Sequence, residues 1–464
     1  MLIENLLSTE EVIRSTSGVL IHGDMGIIFK GICTDTRVLE PGFLFFALKG
    51  KRFDGHHFWK VALERGAKGL VLDHLPGDLK LETLPQGISI ILVKDTLKAL
   101  GDLAQYFRVK EDFKVIAITG SCGKTTTKEL TWVLLSKFYK VRKNEANYNN
   151  LIGVPLSILS FTDKPQWVIL EVGTSFKGEI GRLADIVQPQ ISLITSIYPA
   201  HLEGLETLEG VLEEKVSLFE RTDPLGVLIY FYDQPLLRDR VKAFSQRKIA
   251  YGESEGADLR LLRWESIDKT SRLTIQYEQE TFELEVALFG KHNLLNLLGA
   301  IGVGLGTGLS IRELITVLSS SEPLPTRSKI YEVGSYLLVD DTYNANPGSV
   351  SAALYWLFDH RASLGEKIVI LGEMKELGQE APRYHREIGE LAGSVVDRAI
   401  FIGDTAKYYV EGYKSSGKPY EVYTTVEEFL QRGTLPKNRA IVLVKGSRSL
   451  RMERIVEKLL KGDL

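Results

Sequence analysis

The run Val115-Ile116-Ala117-Ile118-Thr119-Gly120-Ser121-Cys122-Gly123-Lys124-Thr125-Thr126-Thr127 decides how this chain is organised. An apolar strand leads into a glycine turn, which a lysine and several hydroxyls follow. Glycines let backbone N–H groups converge on an anion, the next helix offers its positive end, and the lysine reaches outer phosphates. The common G-x-x-x-x-G-K-[ST] spacing would need glycine at position 118, where this chain has isoleucine. The run nevertheless predicts a phosphate loop that binds ATP, with Thr125 placed to hold Mg²⁺.

Size and composition set limits on the possible functions. A chain of 464 residues has room for about three domains. A net charge of −3 gives no general attraction to nucleic acid. Residues 1–6 lack the pattern of a signal peptide, and two cysteines cannot form a disulfide framework. The uncharged run 293–311 contains five glycines, so we expect a buried helix and not a membrane span. These features predict a reduced, cytoplasmic protein.

The order of apolar runs and breaks divides the chain into three segments. Residues 1–112 are typical of a small α/β unit that opens with an amphipathic helix. Residues 113–322 alternate apolar runs with helical patterns, which predicts a mostly parallel sheet. Prolines near residues 322–327 indicate a linker. Residues 323–464 predict a second doubly wound sheet, whose strands each end in polar residues or glycine.

Two strands of the middle segment end in groups that can bind metal or phosphate. Glu171 interrupts the apolar run 167–173, and His201 follows the run 191–197. The carboxyl ends of parallel strands meet at one edge of a sheet, where the phosphate loop would also lie. Either residue alone could be structural, but their convergence favours a metal or phosphate role.

The helix after His201 carries a lysine inside its apolar stripe. On a helical wheel, Lys215 falls in the middle of the stripe formed by Leu208, Val211, Leu212, Val216 and Phe219. One interpretation is that its stem covers the helix edge while the amine reaches water. The other is a desolvated lysine whose neutral amine reacts with CO₂ and gives an anion that serves a metal site.

Two further clusters have both a local and a functional interpretation. Asn293 stands near a helix start, where His-Asn is often only a cap, but its amide could also recognise adenine. The cluster 34–37 before a Pro-Gly turn is often only turn chemistry.

Taken together, the motifs resemble those of the Mur ligases, and they occur in order through all three segments. The resemblance rests on the runs 119–127, 147–155, 171–173, 200–204 and 340–347, together with Lys215. The run Asp340-Asp341-Thr342-Tyr343-Asn344-Ala345-Asn346-Pro347 and the first-segment runs 34–37 and 47–56 favour one branch of the family. Members of this branch join D-alanyl-D-alanine to UDP-N-acetylmuramoyl-tripeptide.

The resemblance implies an architecture and a reaction. The implied protein is a cytoplasmic monomer with an N-terminal domain for the UDP substrate, a central ATPase domain and a C-terminal Rossmann-like domain that closes over the nucleotide. ATP and Mg²⁺ are the implied cofactors, and no nucleic acid or membrane is involved. ATP would phosphorylate the peptide carboxylate, and the amine of the dipeptide would attack the acyl phosphate, as a step in bacterial cell-wall precursor synthesis.

The resemblance also implies roles for individual residues. The residues expected to act in catalysis are Lys124, Glu171, His201, Lys215 and Arg327. Thr125 and Glu171 would bind one Mg²⁺ and His201 the second, and an N-carboxylated Lys215 would support that second metal. Nucleotide contacts fall to Thr119, Gly120, Ser121, Cys122, Gly123, Lys124, Thr125, Thr126, Asn150, Asn293, Asn296, Arg327 and Asp341. Substrate contacts fall to Thr34, Asp35, Thr36, Arg37, Ala47, Leu48 and Lys49 at the uridine end, and to Asn344, Asn346 and Ser349 near the dipeptide.

Three alternatives remain at this stage. Another Mur ligase or a ligase like folylpolyglutamate synthase would share the mechanism. The first segment argues against the folate enzyme, and the run 344–347 argues against the other Mur enzymes. A phosphate-loop switch would hydrolyse ATP without either substrate, which distinguishes it from a ligase.

Overall fold

The computed structural model describes residues 2–50, 53–267, 270–319, 324–325, 329–359, 365–435 and 439–462. Within these ranges the chain forms three sheets of six, nine and six strands, each accompanied by its own helices. We call the three units the first, central and third domain. The arrangement confirms the predicted class of three α/β domains. Among the residues that the structure describes, no helix has both the length and the apolar character to cross a bilayer.

The first domain is a mixed sheet with strand order β1-β3-β4-β5-β6-β2. Strands β3 to β6 run parallel, and β1 and β2 lie antiparallel at the edges. Its elements are β1 (Leu2–Ser8), α1 (Thr9–Thr16), β2 (Val19–His22), β3 (Ile28–Cys33), β4 (Leu44–Phe46), α2 (Trp59–Glu64), β5 (Gly69–Leu72), β6 (Ser89–Leu92) and α3 (Thr96–Glu111).

The predicted opening helix is wrong for the first residues, because a strand comes before it. Pairing with β3 buries Ile3 and Leu7 in the sheet core, and this tertiary contact outweighs the local helical pattern. The helix begins only at Thr9, and Ser8 and Glu11 form a capping box at its start.

The central domain has strand order β15-β14-β13-β12-β11-β10-β7-β9-β8. The ladder from β8 to β13 is parallel, and β13 to β15 add an antiparallel extension that the sequence did not predict. Its elements are β7 (Lys114–Thr119), α4 (Lys124–Leu135), β8 (Val141–Lys143), α5 (Gly153–Leu159), β9 (Trp167–Glu171), α6 (Glu179–Val187), β10 (Ile191–Ile194), α7 (Leu202–Leu205), α8 (Leu208–Glu220), β11 (Val227–Phe231), α9 (Pro235–Val241), β12 (Arg247–Gly252), β13 (Leu259–Ile267), β14 (Thr270–Tyr277), β15 (Glu280–Val286), α10 (Lys291–Gly306) and α11 (Ile311–Ser319).

The strand order of this sheet fixes where a ligand can bind. After β7 the chain moves to β8 and β9 on one side, and from β10 onward it moves to the other side. Ligands of open α/β sheets bind beyond the carboxyl ends of the strands at such a reversal. The phosphate loop follows β7, Glu171 ends β9, and the loop with His201 follows β10. The topology therefore brings these three groups to one edge, as the sequence predicted.

The third domain has strand order β16-β17-β21-β18-β19-β20, and only β16 is antiparallel to its neighbour. Its elements are β16 (Lys329–Val333), β17 (Tyr336–Asp341), α12 (Pro347–Asp359), β18 (Glu366–Gly372), α13 (Ala381–Val395), β19 (Arg398–Ile402), α14 (Ala406–Tyr413), β20 (Tyr420–Tyr423), α15 (Val426–Arg432), β21 (Ala440–Lys445) and α16 (Glu453–Leu460).

Apolar packing holds the third domain against the central one. A single core cluster contains Leu205 and Val216 of the central domain together with Leu354 and Leu377 of the third. The carboxyl ends of β17, β18 and β21 therefore approach the phosphate loop. The predicted linker 322–327 lies outside the described residues except for Leu324 and Pro325.

Candidate active site

Two positions of the phosphate loop strongly favour glycine. Gly120 has φ +147°, and a Cβ there would lie 1.9 Å from Thr195 Oγ1. Gly123 has φ +83°, and a Cβ there would lie 2.3 Å from Asn296 Oδ1. Positive φ and close approach together make any side chain unfavourable at both positions. The loop can therefore turn tightly into α4 and present backbone N–H groups.

The segment after β10 holds this loop in place. Ser121 N donates to Ser196 O at 2.8 Å, and Cys122 N donates to Ser196 Oγ at 3.1 Å. Ser121 Oγ donates to Tyr198 O at 2.8 Å. Lys124 Nζ donates to Gly120 O at 2.7 Å, so its side chain curls back over the loop. The result is a braced turn at the positive end of a helix, which suits a phosphate group.

The loop opens into a cavity of about 590 Å³ between the central and third domains. This volume lies within the range of small-molecule sites. The central domain lines it with Ser121, Cys122, Gly123, Lys124, Thr126, Tyr198, His201, Tyr251, His292, Asn293 and Asn296. The third domain lines it with Asp341, Tyr343, Asn344, Asn346, Ser349, Lys375, Glu376, Lys445, Ser447 and Arg448.

A hydroxyl and a carboxylate meet beside this cavity. Thr125 Oγ1 donates a short hydrogen bond to Glu171 Oε2, and Asn149 Nδ2 donates to Glu171 Oε1 at 2.8 Å. Glu171 is buried, and its backbone is fixed by both ends of the Asn144 side-chain amide. Carboxylate and hydroxyl oxygens are the ligands that Mg²⁺ prefers, so this pair fits a magnesium ion.

Sequence reasoning chose Asn150 in this region, and the structure gives that residue a local bond. Its Oδ1 accepts the N–H of Ile152 and Gly153 at the start of α5. The neighbour Asn149 is the one that orients Glu171. Sequence reasoning missed Asn149, although the run 147–155 had marked the segment.

Lys215 lies buried on α8. Its side chain on α8 is 1% exposed, and the described residues give its Nζ no hydrogen bond or ion pair. The neighbouring Glu214 instead accepts the N–H groups of Gly178 and Ile180. Burial, with a smaller effect from the nearby charge of Lys124, lowers the pKa of Lys215 to about 7. The edge-covering interpretation is therefore wrong, because it requires the amine in water.

His201 faces both the cavity and the third domain. It adopts the left-handed conformation, with φ +55°, just before α7. Its Nδ1 lies 2.5 Å from Glu376 Oε2, and the hydrogen bond from His201 lowers the pKa of Glu376. Sequence reasoning missed Glu376, since nothing local distinguishes it from other loop glutamates.

The two asparagines proposed for adenine lie on α10 beside the loop. Asn293 is buried, and its Nδ2 donates to Phe289 O at 2.8 Å. Asn296 Oδ1 accepts a long bond of 3.4 Å from Thr127 Oγ1. Burial also lowers the pKa of His292, which lines the same cavity. The structure thus brings both asparagines and Lys124 to one cavity.

The third domain contributes an ion pair at its end of the cavity. Lys445 Nζ lies 2.6 Å from Asp341 Oδ2 and donates to Asn344 O at 2.9 Å. Lys445 is buried, and sequence reasoning did not assign it a role although it ends a predicted strand. Arg327, the predicted γ-phosphate contact, lies outside the described residues.

Asn346 connects the third domain directly to the phosphate loop. Its Nδ2 donates to Ser121 O at 3.3 Å, and its Oδ1 accepts from Cys122 Sγ at 3.1 Å. The same Oδ1 accepts the N–H of Ser349 at 2.9 Å, which caps α12. The third domain is therefore closed over the loop.

The residues proposed for the uridine end lie in the first domain and do not line this cavity. The segments 34–37 and 47–49 follow β3 and β4, which are parallel neighbours, so both emerge at one sheet edge. A hydrogen bond from Arg37 lowers the pKa of Asp35 to about 2, and Asp35 also caps the turn. The Arg37 side chain is largely exposed. Thr96 Oγ1 donates to Ala47 O at 3.0 Å and fixes the second segment.

Comparison with known proteins gives consistent matches along the chain. Residues 28–108 match the model "Mur ligase family, catalytic domain", residues 118–304 match "Mur ligase middle domain", and residues 327–448 match "Mur ligase, glutamate ligase domain". The UDP-N-acetylmuramoyl-tripeptide--D-alanyl-D-alanine ligase of Bacillus subtilis (strain 168) is 33% identical over 442 residues, which cover 94% of each chain.

Solved structures match over the same extent. The structure of MurF from Acinetobacter baumannii has a TM-score of 0.88 and 28% identity, with 99% of each chain covered. The MurF ligase from Thermotoga maritima in complex with ADP has a TM-score of 0.81 and 27% identity, with 93% of this chain and 97% of that chain covered.

Proposed function

This chain belongs to the Mur ligase family, and from this we propose that it joins D-alanyl-D-alanine to UDP-N-acetylmuramoyl-tripeptide with energy from ATP, in the synthesis of peptidoglycan precursors. The enzyme is an ATP-dependent amide-bond ligase. The observation that carries the proposal is a single cavity at which a phosphate loop, the His201 imidazole and the closed third domain meet, with the buried pair Thr125 and Glu171 beside it.

The reaction consists of two displacements. A carboxylate oxygen of the tripeptide attacks the γ-phosphorus of ATP, the bond to the β-phosphate oxygen breaks, and ADP leaves. The amine of D-alanyl-D-alanine then attacks the acyl carbon of the acyl phosphate. The carbon–oxygen bond to phosphate breaks, inorganic phosphate leaves, and the amine loses a proton as the amide forms. The first displacement requires two anionic groups, carboxylate and triphosphate, to be held in contact, and the second requires the amine to be held against the acyl phosphate.

We assign the triphosphate to the phosphate loop. The start of α4 offers backbone N–H groups and a positive dipole end, and Lys124 adds a full positive charge. These groups stabilise negative charge that spreads over the transferring phosphoryl group. Asn293 and Asn296 are proposed at the adenine, and Asp341 is proposed to contact the nucleotide from the third domain, because all three line the same cavity.

We assign one Mg²⁺ to Thr125 and Glu171, supported by their oxygen donors, and a second to His201, supported by its position on the cavity. Bound Mg²⁺ would neutralise charge on the phosphates and on the approaching carboxylate. Lys215 is proposed to be N-carboxylated. Its amine is deprotonated in about half of the molecules at pH 7, given a pKa of about 7, so it can react with CO₂. The resulting carbamate would give the site another anionic oxygen ligand.

The remaining assignments concern substrates and domain limits. We propose a UDP-binding domain at 1–112, an ATP-binding domain at 113–322 and a Rossmann-like domain at 323–464, since each contains one complete sheet. Asn344, Asn346 and Ser349 are proposed near the dipeptide, and the segments 34–37 and 47–49 near the uridine. A cytoplasmic location is proposed because ATP and UDP-linked substrates are cytoplasmic compounds, and a monomer is proposed because the single chain supplies all three domains.

Phosphate release tests the ligase against a nucleotide switch. Purified protein with Mg²⁺ and ATP is given the UDP-tripeptide, the dipeptide, or both, and products are identified by mass spectrometry. We expect rapid phosphate release and a new amide product only with both substrates. If phosphate is released at the same rate whichever substrates are present, and no amide product forms, the protein is a switch and the proposal is rejected. A Lys124→Met variant controls for contaminating phosphatases.

A further inference from the structure

The third domain places a carboxylate on the histidine of the proposed metal site. Glu376 lies in the loop after β18, and His201 lies in the loop after β10, 175 positions earlier in the chain. Glu376 Oε2 is 2.5 Å from His201 Nδ1, and Glu203 N donates to Glu376 O at 3.3 Å. One side-chain bond and one backbone bond between described residues therefore join the loop of Glu376 to His201 and the start of α7.

Both partners hold an unusual backbone conformation. His201 has φ +55° and Glu376 has φ +64°, a region that residues with a Cβ rarely adopt. Such conformations persist where the surrounding structure fixes them, and they concentrate at functional sites. Because two such residues face each other across the domain boundary, their contact is a specific one.

The hydrogen bond determines which ring nitrogen of His201 can bind a metal. A carboxylate at Nδ1 keeps the proton on that nitrogen, so the lone pair of Nε2 remains available. The described residues form no hydrogen bond with Nε2, and both side chains line the cavity that contains the phosphate loop. Carboxylate partners of this kind orient metal-binding histidines in many proteins.

We propose that Glu376 is a positioning residue that sets the tautomer and direction of His201, and that it does so only when the third domain is closed. The inference rests on the proposed function, since it takes His201 as a metal ligand. Closure of the third domain then completes the metal site as well as covering the nucleotide. Phosphoryl transfer from ATP is thereby coupled to the closed form, in which water has less access to the acyl phosphate.

Three variants separate positioning from a general structural effect. Glu376→Ala removes the acceptor, and Glu376→Gln keeps a carbonyl oxygen that can still accept the Nδ1 proton. Glu380→Ala is the matched control, because Glu380 lies in the next turn and pairs with Arg383 at 3.1 Å and not with His201. Circular dichroism and thermal unfolding confirm that each variant is folded.

The first readout is metal affinity, measured by electron paramagnetic resonance of Mn²⁺ with a non-hydrolysable ATP analogue. We expect Glu376→Ala to bind Mn²⁺ about tenfold more weakly, Glu376→Gln to retain most of the affinity, and Glu380→Ala to match the wild type. The second readout is ¹⁵N NMR of histidine-labelled protein, which has only eight histidines to assign. We expect the Nδ1–H tautomer of His201 in the wild type and a mixture in Glu376→Ala.

Equal Mn²⁺ affinity and unchanged His201 signals in Glu376→Ala would overturn the inference. Neither readout needs turnover, so failure can be traced to its source. A wild type that makes no amide product would reject the proposed function. A wild type that ligates, together with an unaffected Glu376→Ala variant, would reject only the role of Glu376.

Discussion

Replacing Lys215 with methionine should stabilise the protein and abolish ligation. Lys215 is almost fully buried on α8, and none of the described residues forms an ion pair or a hydrogen bond with its amine. Lys215→Met keeps a similar length and removes the charge. The substitution therefore separates the cost of a buried charge from the loss of packing.

The magnitude follows from the pKa. The folded state lowers the pKa of Lys215 from 10.5 to about 7. At about 1.4 kcal/mol for each pKa unit, this lowering of the pKa reduces the unfolding free energy at pH 7 by about 4–5 kcal/mol relative to a protein in which Lys215 kept a pKa of 10.5. Methionine does not reproduce the packing perfectly, so we expect a gain in unfolding free energy of about 2–4 kcal/mol at pH 7.

The pH dependence has a definite sign. Between pH 7 and 10.5 the unfolded chain holds a proton on Lys215 that the folded chain has largely lost. The unfolding free energy of the wild type therefore rises with pH through this range, while the variant lacks this contribution. The advantage of Lys215→Met should shrink by about 2 kcal/mol between pH 7 and pH 9.

A second buried lysine provides the control. Lys128 on α4 is also 1% exposed, but its Nζ donates to Asn144 O at 2.7 Å and lies 3.4 Å from Glu129. Lys128→Met removes a satisfied donor and leaves a buried carbonyl unpaired. We expect it to lose about 1–3 kcal/mol.

Hydrogen exchange measured by mass spectrometry on peptides from β7 and α8 reports the stability of the central domain by itself. The assay is run in CO₂-free buffer and repeated with bicarbonate. Bicarbonate should slow exchange in the wild type and leave Lys215→Met unchanged, because only the lysine can form a carbamate. A Lys215→Met variant that is less stable than the wild type at pH 7, or that still ligates, would refute the reasoning.

Three further predictions concern the loop and the domains. Gly123→Ala should weaken ATP binding about tenfold or more, because the new Cβ would lie 2.3 Å from Asn296 Oδ1 and the backbone would be strained; calorimetric titration checks this, and unchanged affinity would contradict it. Thr125→Val should raise the Mg²⁺ concentration needed for half-maximal phosphate release about tenfold, since a ligand oxygen beside Glu171 is lost; an identical Mg²⁺ curve would remove Thr125 from the site. In small-angle scattering with ATP and both substrates, the wild type should become more compact or stay compact. Asn346→Ala should be more extended, because it loses its bonds to Ser121 and Cys122. Identical profiles for the wild type and the variant would argue against closure through Asn346.

Much of the central domain could be predicted because its signals are local. The strand, glycine turn and lysine at 115–127 are contiguous, and the mostly parallel sheet follows from alternating apolar and helical runs. Lys215 was found because a charge inside an apolar stripe is visible on a helical wheel. Its complete burial was not visible, since that depends on what packs against α8.

The rest of the site depends on contacts between distant parts of the chain. Glu376 meets His201 across 175 positions, and Lys445 meets Asp341 across 104. No periodicity encodes how the third domain packs on the central one, so neither pair could be predicted. The opening strand β1 was missed for the same reason, because its partner β3 buries Ile3 and Leu7.

The most direct test of the central claim follows oxygen atoms through the reaction. The UDP-tripeptide is prepared with ¹⁸O in both oxygens of the reacting carboxylate and is incubated with ATP, Mg²⁺ and D-alanyl-D-alanine. If the carboxylate is phosphorylated before the amide forms, one ¹⁸O atom must appear in the released phosphate and the other must remain in the amide product. Phosphate without ¹⁸O would mean that ATP is hydrolysed by water, and the account of this protein as an acyl-phosphate ligase would be wrong.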